Sequence, residues 1–208
     1  QVVRLNHDVS RREARQRAVV GLGRSGLAAA ELLCRLGCRV RATDASDTDH
    51  QRAVKAMLSA RGAEEIELGH HTQKLIARSE LVVVSPGVAE SAAPIQWARE
   101  QGLPVLSEIE LAYHFCPSPI VAVTGTNGKS TVVTLIAELL RTANRPAIAC
   151  GNLGIPFSSV VGQLTPQSVA VVEVSSFQLL GCDQFRPRIG VLLNLGMNHL
   201  DRHHDPRG

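Results

Sequence analysis

The sequence predicts an α/β protein built on parallel sheets, and three observations carry that prediction. Short apolar runs bounded by Gly, Pro or Asp alternate with longer segments of helical period, which is the pattern of repeated βα units. Aromatic residues are only 3% of a chain that is 44% hydrophobic, so its core has to be built from Val, Leu, Ile and Ala, as in sheets covered by helices. Two glycine-rich turns, Gly21-Leu-Gly-Arg-Ser-Gly26 and Gly125-Thr-Asn-Gly-Lys-Ser130, each follow an apolar run and open a segment of helical spacing.

Taken in order, Ala18 to Leu22 predicts a strand, Leu27 to Leu36 a helix and Arg39 to Thr43 a second strand. Arg52 to Arg61 and Pro94 to Gln101 read as helices, Leu81 to Ser85 as a strand and Val105 to Leu106 as a short one. After a tail over residues 1–16, these elements make a Rossmann-like N-terminal domain over 17–112. Tyr113, Phe115, Pro117 and Pro119 break the pattern, and the prolines disfavour helix, so the linker is placed at 113–119. From residue 120 a second set begins: a strand at Ile120 to Val123, a glycine-rich loop, a helix from Lys129 to Thr142, and strands at Ala147 to Ala149, Val169 to Val174 and Ile189 to Leu193. This is a P-loop-type α/β central domain, and the chain of 208 residues can bury the cores of both.

Bulk properties exclude several classes. The net charge of +3 comes from 22 basic and 19 acidic residues, and the one basic run, Arg4, Arg11, Arg12, Arg15 and Arg17, reads as a solvated tail, so no nucleic-acid partner is expected. The five cysteines form no paired C-x-x-C pattern, which argues against zinc and a disulfide framework and fits a reducing cytoplasm. No apolar run approaches the ~18 residues of a membrane span, so a soluble protein is expected.

The second turn carries the sharper chemistry. A β-branched strand, Ile120 to Val123, runs into Gly125, Thr126, Asn127, Gly128, Lys129, Ser130 and Thr131, and then into a helix with Val132, Leu135, Ile136, Leu139 and Leu140 at helical spacing. At such a helix start the free N–H groups and the positive dipole end meet an anion, Lys129 can reach terminal phosphates and Ser130 can hold Mg²⁺. The general nucleotide loop has Gly where Val123 stands, so this is a shortened version. Glu173, at the end of a buried-looking strand, is the hard-oxygen carboxylate that a Mg²⁺–phosphate site needs.

Thr124-Gly-Thr-Asn-Gly-Lys-Ser-Thr131 resembles the ATP loop of the Mur ligase and folylpolyglutamate synthetase superfamily, and its Asn-Gly-Lys-Ser-Thr order is most similar to the glutamate-adding Mur ligases. Val172-Glu-Val-Ser-Ser-Phe-Gln-Leu179, Asn194-Leu-Gly-Met-Asn-His-Leu-Asp-Arg-His203 and Cys150-Gly-Asn-Leu-Gly154 resemble further markers of those ligases. The resemblance spans residues 17 to 205 and includes Ser107-Glu-Ile-Glu-Leu111, which looks like the family's approach to its domain linker. It implies ATP and Mg²⁺ as cofactors, Lys129, Glu173 and His199 as catalytic, and Ser130, Glu173 and His199 as metal ligands. Asn198 stands where many members have an acid.

The first turn, with Asp44 at the next strand's end, by itself fits a dinucleotide fingerprint, which leaves an NAD-dependent oxidoreductase open. A nucleotide-binding module without catalysis is also open. The resemblance instead implies that this domain holds a UDP-linked sugar: Arg24 and Ser25 facing the UDP, Asp44 its uracil or ribose side, Ser85, Pro86 and Gly87 its phosphates. Asn152 would touch the substrate, and Ser175 and Gln178 its sugar or peptide end. The family's Arg just after the aspartate is replaced by Ala45 and Ser46. The implied substrates are UDP-N-acetylmuramoyl-L-alanine and glutamate, in a cytoplasmic monomer. The family's carbamoylated lysine, the rest of its central sheet and a third domain are expected beyond the segment given, which makes the central domain over 120–208 incomplete (truncated) and the chain competent for binding only.

Overall fold

A computed structural model describes residues 15–196. His199, with Asn198 and the rest of its motif, lies outside the described residues, as do Arg4, Arg11 and Arg12.

Strands β1 (Gln16–Val20), β2 (Arg39–Asp44), β3 (Glu65–Leu68), β4 (Leu81–Val84) and β5 (Val105–Ser107) form a parallel sheet in the order β3-β2-β1-β4-β5. Helices α1 (Arg24–Arg35), α2 (Asp49–Ala60), α3 (Gln73–Ala77) and α4 (Ala93–Glu100) connect them. The order in which strands are added reverses between β1 and β4, which are parallel neighbours, so the connections after them leave to opposite sides and open a crevice, where ligands of such sheets bind. Helix α1 starts at Arg24, a turn earlier than Leu27, and takes in Gly26. A Cβ on Gly26 would stand 1.7 Å from the Gly21 carbonyl oxygen, so only glycine lets the helix begin this close to the strand. Strand β3 was not legible in the sequence: Glu65-Ile-Glu-Leu68 is short, polar and buries only Ile66, because it is the edge of the sheet.

Strands β6 (Ile120–Thr124), β7 (Ala147–Gly151), β8 (Val169–Glu173) and β9 (Ile189–Leu192) form a second parallel sheet in the order β7-β8-β6-β9. Every residue of β8 is buried, as a strand covered on both faces requires, whereas Ile189 and Leu192 of the edge strand β9 are exposed. Helix α6 (Lys129–Thr142) follows β6, and the shorter α7 (Phe157–Val160) and α8 (Ser176–Leu180) follow β7 and β8.

Helix α5 (Glu108–Phe115) continues past residue 112, and the Cys116–Pro119 stretch alone joins it to β6. The helix is capped by Ser107, whose hydroxyl accepts from the Glu110 N–H, and it buries two carboxylates completely. Glu110 accepts the N–H groups of Asp183, Gln184 and Phe185 and pairs with His114. Glu108 accepts the Ser158 N–H at 2.5 Å. Through these bonds α5 grips both the start of α7 and the loop after α8, and one apolar cluster runs from Val19 and Leu33 through Ile109 to Phe157 and Val172.

Candidate functional site

Each strand of the second sheet delivers polar groups at its C-terminal end. After β6 the chain turns through Gly125 to Gly128 into α6, whose first turn carries neither an acidic residue nor a side-chain cap. Its N-terminal N–H groups are therefore available to an anion. The Lys129 ammonium arches back over the loop, donating to the carbonyls of Gly125 at 2.7 Å and Thr126 at 2.9 Å. Thr131 is exposed beside it.

Glu173 ends β8 in register between Val123 and Gly151, and is only 2% exposed. Its two oxygens are held from opposite sides, by the Ser130 hydroxyl at 2.6 Å and by the Asn152 amide at 2.9 Å. The Asn152 backbone N–H also donates to the Glu173 carbonyl at 2.9 Å. The phosphate loop, the strand-end acid and the loop after β7, predicted separately, thus meet at one point.

The side chain of Asn194, just past β9, grips the loop: Oδ1 accepts the N–H groups of Thr126 at 3.0 Å and Asn127 at 2.9 Å, and Nδ2 donates to the Asn127 carbonyl at 3.1 Å. In the sequence this residue stands inside the Asn194-to-His203 motif with no role of its own. The available signal was a strand followed at once by Asn-Leu-Gly.

In the first sheet, Arg24 is exposed at the start of α1, and a Cβ on Gly154 would lie 3.4 Å from its Nη1, so Arg24 lies against the Asn152 loop. Ser25 is half-buried one residue on. Ser85, Pro86 and Gly87 form the turn after β4, with the Ser85 N–H on the Val20 carbonyl and the Val88 N–H on that of Ser85. A cleft of about 960 Å³ adjoins Ser85 and Pro86 and is lined also by Ile95, Arg99, Phe177 and Gln178.

Two sets of predicted contacts take a different form. Asp44 turns beneath the first loop, its oxygens accepting the N–H groups of Leu22 at 2.5 Å and Ser46 at 2.8 Å. Ser175 and Gln178 make a reciprocal capping box at the start of α8, and Gln178 is buried. The Ser175 hydroxyl and the Gln178 Oε1 are thereby engaged with each other and with backbone N–H groups, while Gln178 also lines the cleft beside Ser85.

All five cysteines are free, and burial pushes each thiol above its ordinary range, that of Cys182 to about 11. None is a thiolate nucleophile at neutral pH.

Comparison with known proteins accords with this arrangement. The Mur ligase MurD-like N-terminal domain matches residues 15–107, and the Mur ligase middle domain matches residues 123–207. The chain belongs to the Mur ligase family. Among its curated relatives is the UDP-N-acetylmuramoylalanine--D-glutamate ligase of Pelotomaculum thermopropionicum, 45% identical over 185 residues, covering 89% of this chain and 40% of that protein. The enzyme of the same name from Desulfosudis oleivorans is 45% identical over 195 residues, covering 93% and 42% respectively. This Mur ligase chain thus spans about 40% of the length of the curated relatives it matches. In fold it is similar to the crystal structure of UDP-N-acetylmuramate:L-alanyl-gamma-D-glutamyl-meso-diaminopimelate ligase from Neisseria meningitides, with a TM-score of 0.60 at 20% identity, covering 93% of this chain and 64% of that one.

Proposed function

We propose that this Mur ligase chain forms the nucleotide- and UDP-sugar-binding part of an ATP-dependent ligase that joins D-glutamate to UDP-N-acetylmuramoyl-L-alanine in peptidoglycan synthesis. One observation carries the reading: Glu173 is held between Ser130 of the phosphate loop and Asn152, at the same end of one sheet. The relatives' names supply D-glutamate as the acceptor.

The donor set fits Mg²⁺. The Ser130 hydroxyl and the Glu173 carboxylate are hard oxygens side by side at a helix N-terminus, and among the described residues no group of three or more His, Cys, Asp or Glu could hold a metal alone. The cation would be shared with phosphate oxygens, and when bound it would neutralise their charge. His199 joins this site by resemblance.

Lys129, released from its two loop carbonyls, binds the terminal phosphates together with the N–H groups of α6. Asn152 keeps the Glu173 carboxylate turned towards Ser130. In the first step an alanyl carboxylate oxygen attacks the γ-phosphorus and ADP leaves. The glutamate nitrogen then attacks the acyl carbon of that acyl phosphate, phosphate leaves, and the nitrogen loses its proton. Positioning dominates such chemistry, since holding reactants in geometry supplies about 7–11 kcal/mol of a barrier.

Residues 17–112 hold the UDP, with Arg24, Ser25, Ser85, Pro86 and Gly87 towards its diphosphate and Asp44, which also holds the first loop in shape, towards its uracil or ribose side; Ser175 and Gln178, at the start of α8, face the sugar or peptide end. Helix α5 closes this unit, and residues 116–119 link it to the ATP-binding one, 120–208. The dinucleotide reading leaves the second glycine-rich loop and Glu173 without a task, whereas the ligase reading joins them in one site. We place the reaction in the cytoplasm and the chain as a monomer, and among the described residues no helix is long and apolar enough to cross a membrane. Calorimetric titration with ATP and Mg²⁺, UDP-N-acetylmuramoyl-L-alanine and NADH tests the reading: the first two ligands bind and NADH does not. Binding of NADH alone would overturn it.

A further inference from the structure

We infer that Asn194 is a positioning residue that holds the first half of the phosphate loop in its binding shape and leaves only the second half to take phosphate. The inference rests on the nucleotide site proposed above and concerns a residue to which neither the motif reading nor the proposed mechanism assigns a task.

The contact between the loop and the chain after β9 is built from both sides. A Cβ on Gly125, where φ is +135°, would stand 3.1 Å from both the backbone N and O of Asn194 and 3.2 Å from the Leu193 Cβ. The Leu193 N–H donates to the Thr124 carbonyl at 3.0 Å, which extends the β6–β9 ladder up to the loop. Beyond Asn194, the Gly196 N–H donates to the Thr126 hydroxyl at 2.8 Å, and a Cβ on Gly196 would come within 3.3 Å of the Thr126 side chain. Two glycines thus bring the segments together, and the Asn194 side chain fastens them with three hydrogen bonds, two accepted and one donated.

Only a carboxamide of this length satisfies that set. Aspartate could accept both N–H groups but could not donate to the Asn127 carbonyl, and alanine could do neither. With the N–H groups of Thr126 and Asn127 engaged, the open donors are those from Gly128 into the uncapped N-terminus of α6. Phosphate is thereby steered towards Lys129, Ser130 and Glu173. Because the loop is tied in place before nucleotide arrives, less ordering is needed on binding.

Amide hydrogen exchange of the ligand-free chain, read at Thr126 and Asn127, tests the brace without any nucleotide. Both amides should be protected in the parent chain and in Asn194→Asp; in Asn194→Ala the Asn127 amide should become exposed, while that of Thr126, which also donates to the Asn194 backbone carbonyl at 3.2 Å, should keep part of its protection, with circular dichroism showing each variant folded. ATP with Mg²⁺ should bind Asn194→Ala about tenfold more weakly, as expected for the loss of one to two net hydrogen bonds, while affinity for UDP-N-acetylmuramoyl-L-alanine stays unchanged. Asn194→Asp should keep the amide protection but bind ATP weakly at low salt, because its charge faces phosphate, and recover as salt is raised. Unprotected loop amides in the parent chain would overturn the brace, as would tighter ATP binding by Asn194→Ala, the result expected of a placeholder that phosphate displaces. Failure of ATP to bind the parent chain would instead overturn the nucleotide site, with the exchange data still deciding whether Asn194 holds the loop.

Discussion

Lys129 and Glu173 are the residues whose replacement separates the two loops most cleanly. Without ligand, Lys129 rests on two carbonyls of its own loop, which keeps the ammonium over the place where phosphate would lie. Lys129→Ala should therefore weaken ATP binding by about tenfold or more, the loss of a charge-assisted contact, and leave UDP-sugar binding unchanged. Equal losses in paired titrations would show that the loops have been assigned to the wrong ligands. Glu173→Gln keeps the shape of the buried side chain but removes its charge, so the Mg²⁺ dependence of ATP binding should flatten while the thermal unfolding profile persists. An unaltered magnesium titration would take Glu173 out of the metal site.

Helix α5 is the element that ties the two sheets together, and its carboxylates do so with opposite responses to acid. Burial pushes the Glu110 carboxyl up, but His114 and the N–H groups of Gln184, Asp183 and Phe185 together outweigh it, and the net shift is downward. Its stabilising effect is present above the ordinary glutamate range and is lost as pH falls through its lowered value. Removing the carboxylate leaves three backbone donors without their partner, so Glu110→Ala should lower unfolding stability by about 3 kcal/mol, measured by urea denaturation at neutral pH. A loss under 1 kcal/mol would mean that water replaces the carboxylate. From the sequence, Tyr113 and Phe115 beside two prolines place the end of the first domain near residue 112, inside this helix. In the structure the aromatic pair belongs to the helix, and Tyr113 packs edge-on against Phe185.

Across the whole molecule, Glu108 makes stability depend on pH in the other sense. Burial raises its carboxyl to about 7, and the hydrogen bonds from Ser158 only partly oppose this. Between the unfolded value of 4.5 and about 7, the folded chain holds a proton that the unfolded chain has released, so stability falls as pH rises through that window. The difference amounts to about 3 kcal/mol on going from acid to neutral pH, since each pKa unit is worth about 1.4 kcal/mol. Glu108→Gln, neutral throughout, should remove this slope in denaturation curves between pH 4.5 and 7.5, and an identical slope in the variant would place the proton elsewhere. The parallel α/β class, every strand but β3, helices α1, α2, α4 and α6, and the loop from Gly125 to Thr131 were determined by the sequence alone, because apolar period and glycine placement are local properties, whereas the short α3, α7 and α8 span too few turns to show a period and α5 stands beside two prolines. The alternation of polar and apolar residues in β3 was too short to declare a strand until β2 lay beside it. Tertiary structure alone decided that Asn152 and Ser130 meet on Glu173, that Asp44 turns under its loop, and that Asn194 grips the phosphate loop. Each of these depends on which strand ends lie side by side, and that order, β7-β8-β6-β9 in the second sheet, is set by packing between residues far apart in the chain rather than by any local pattern.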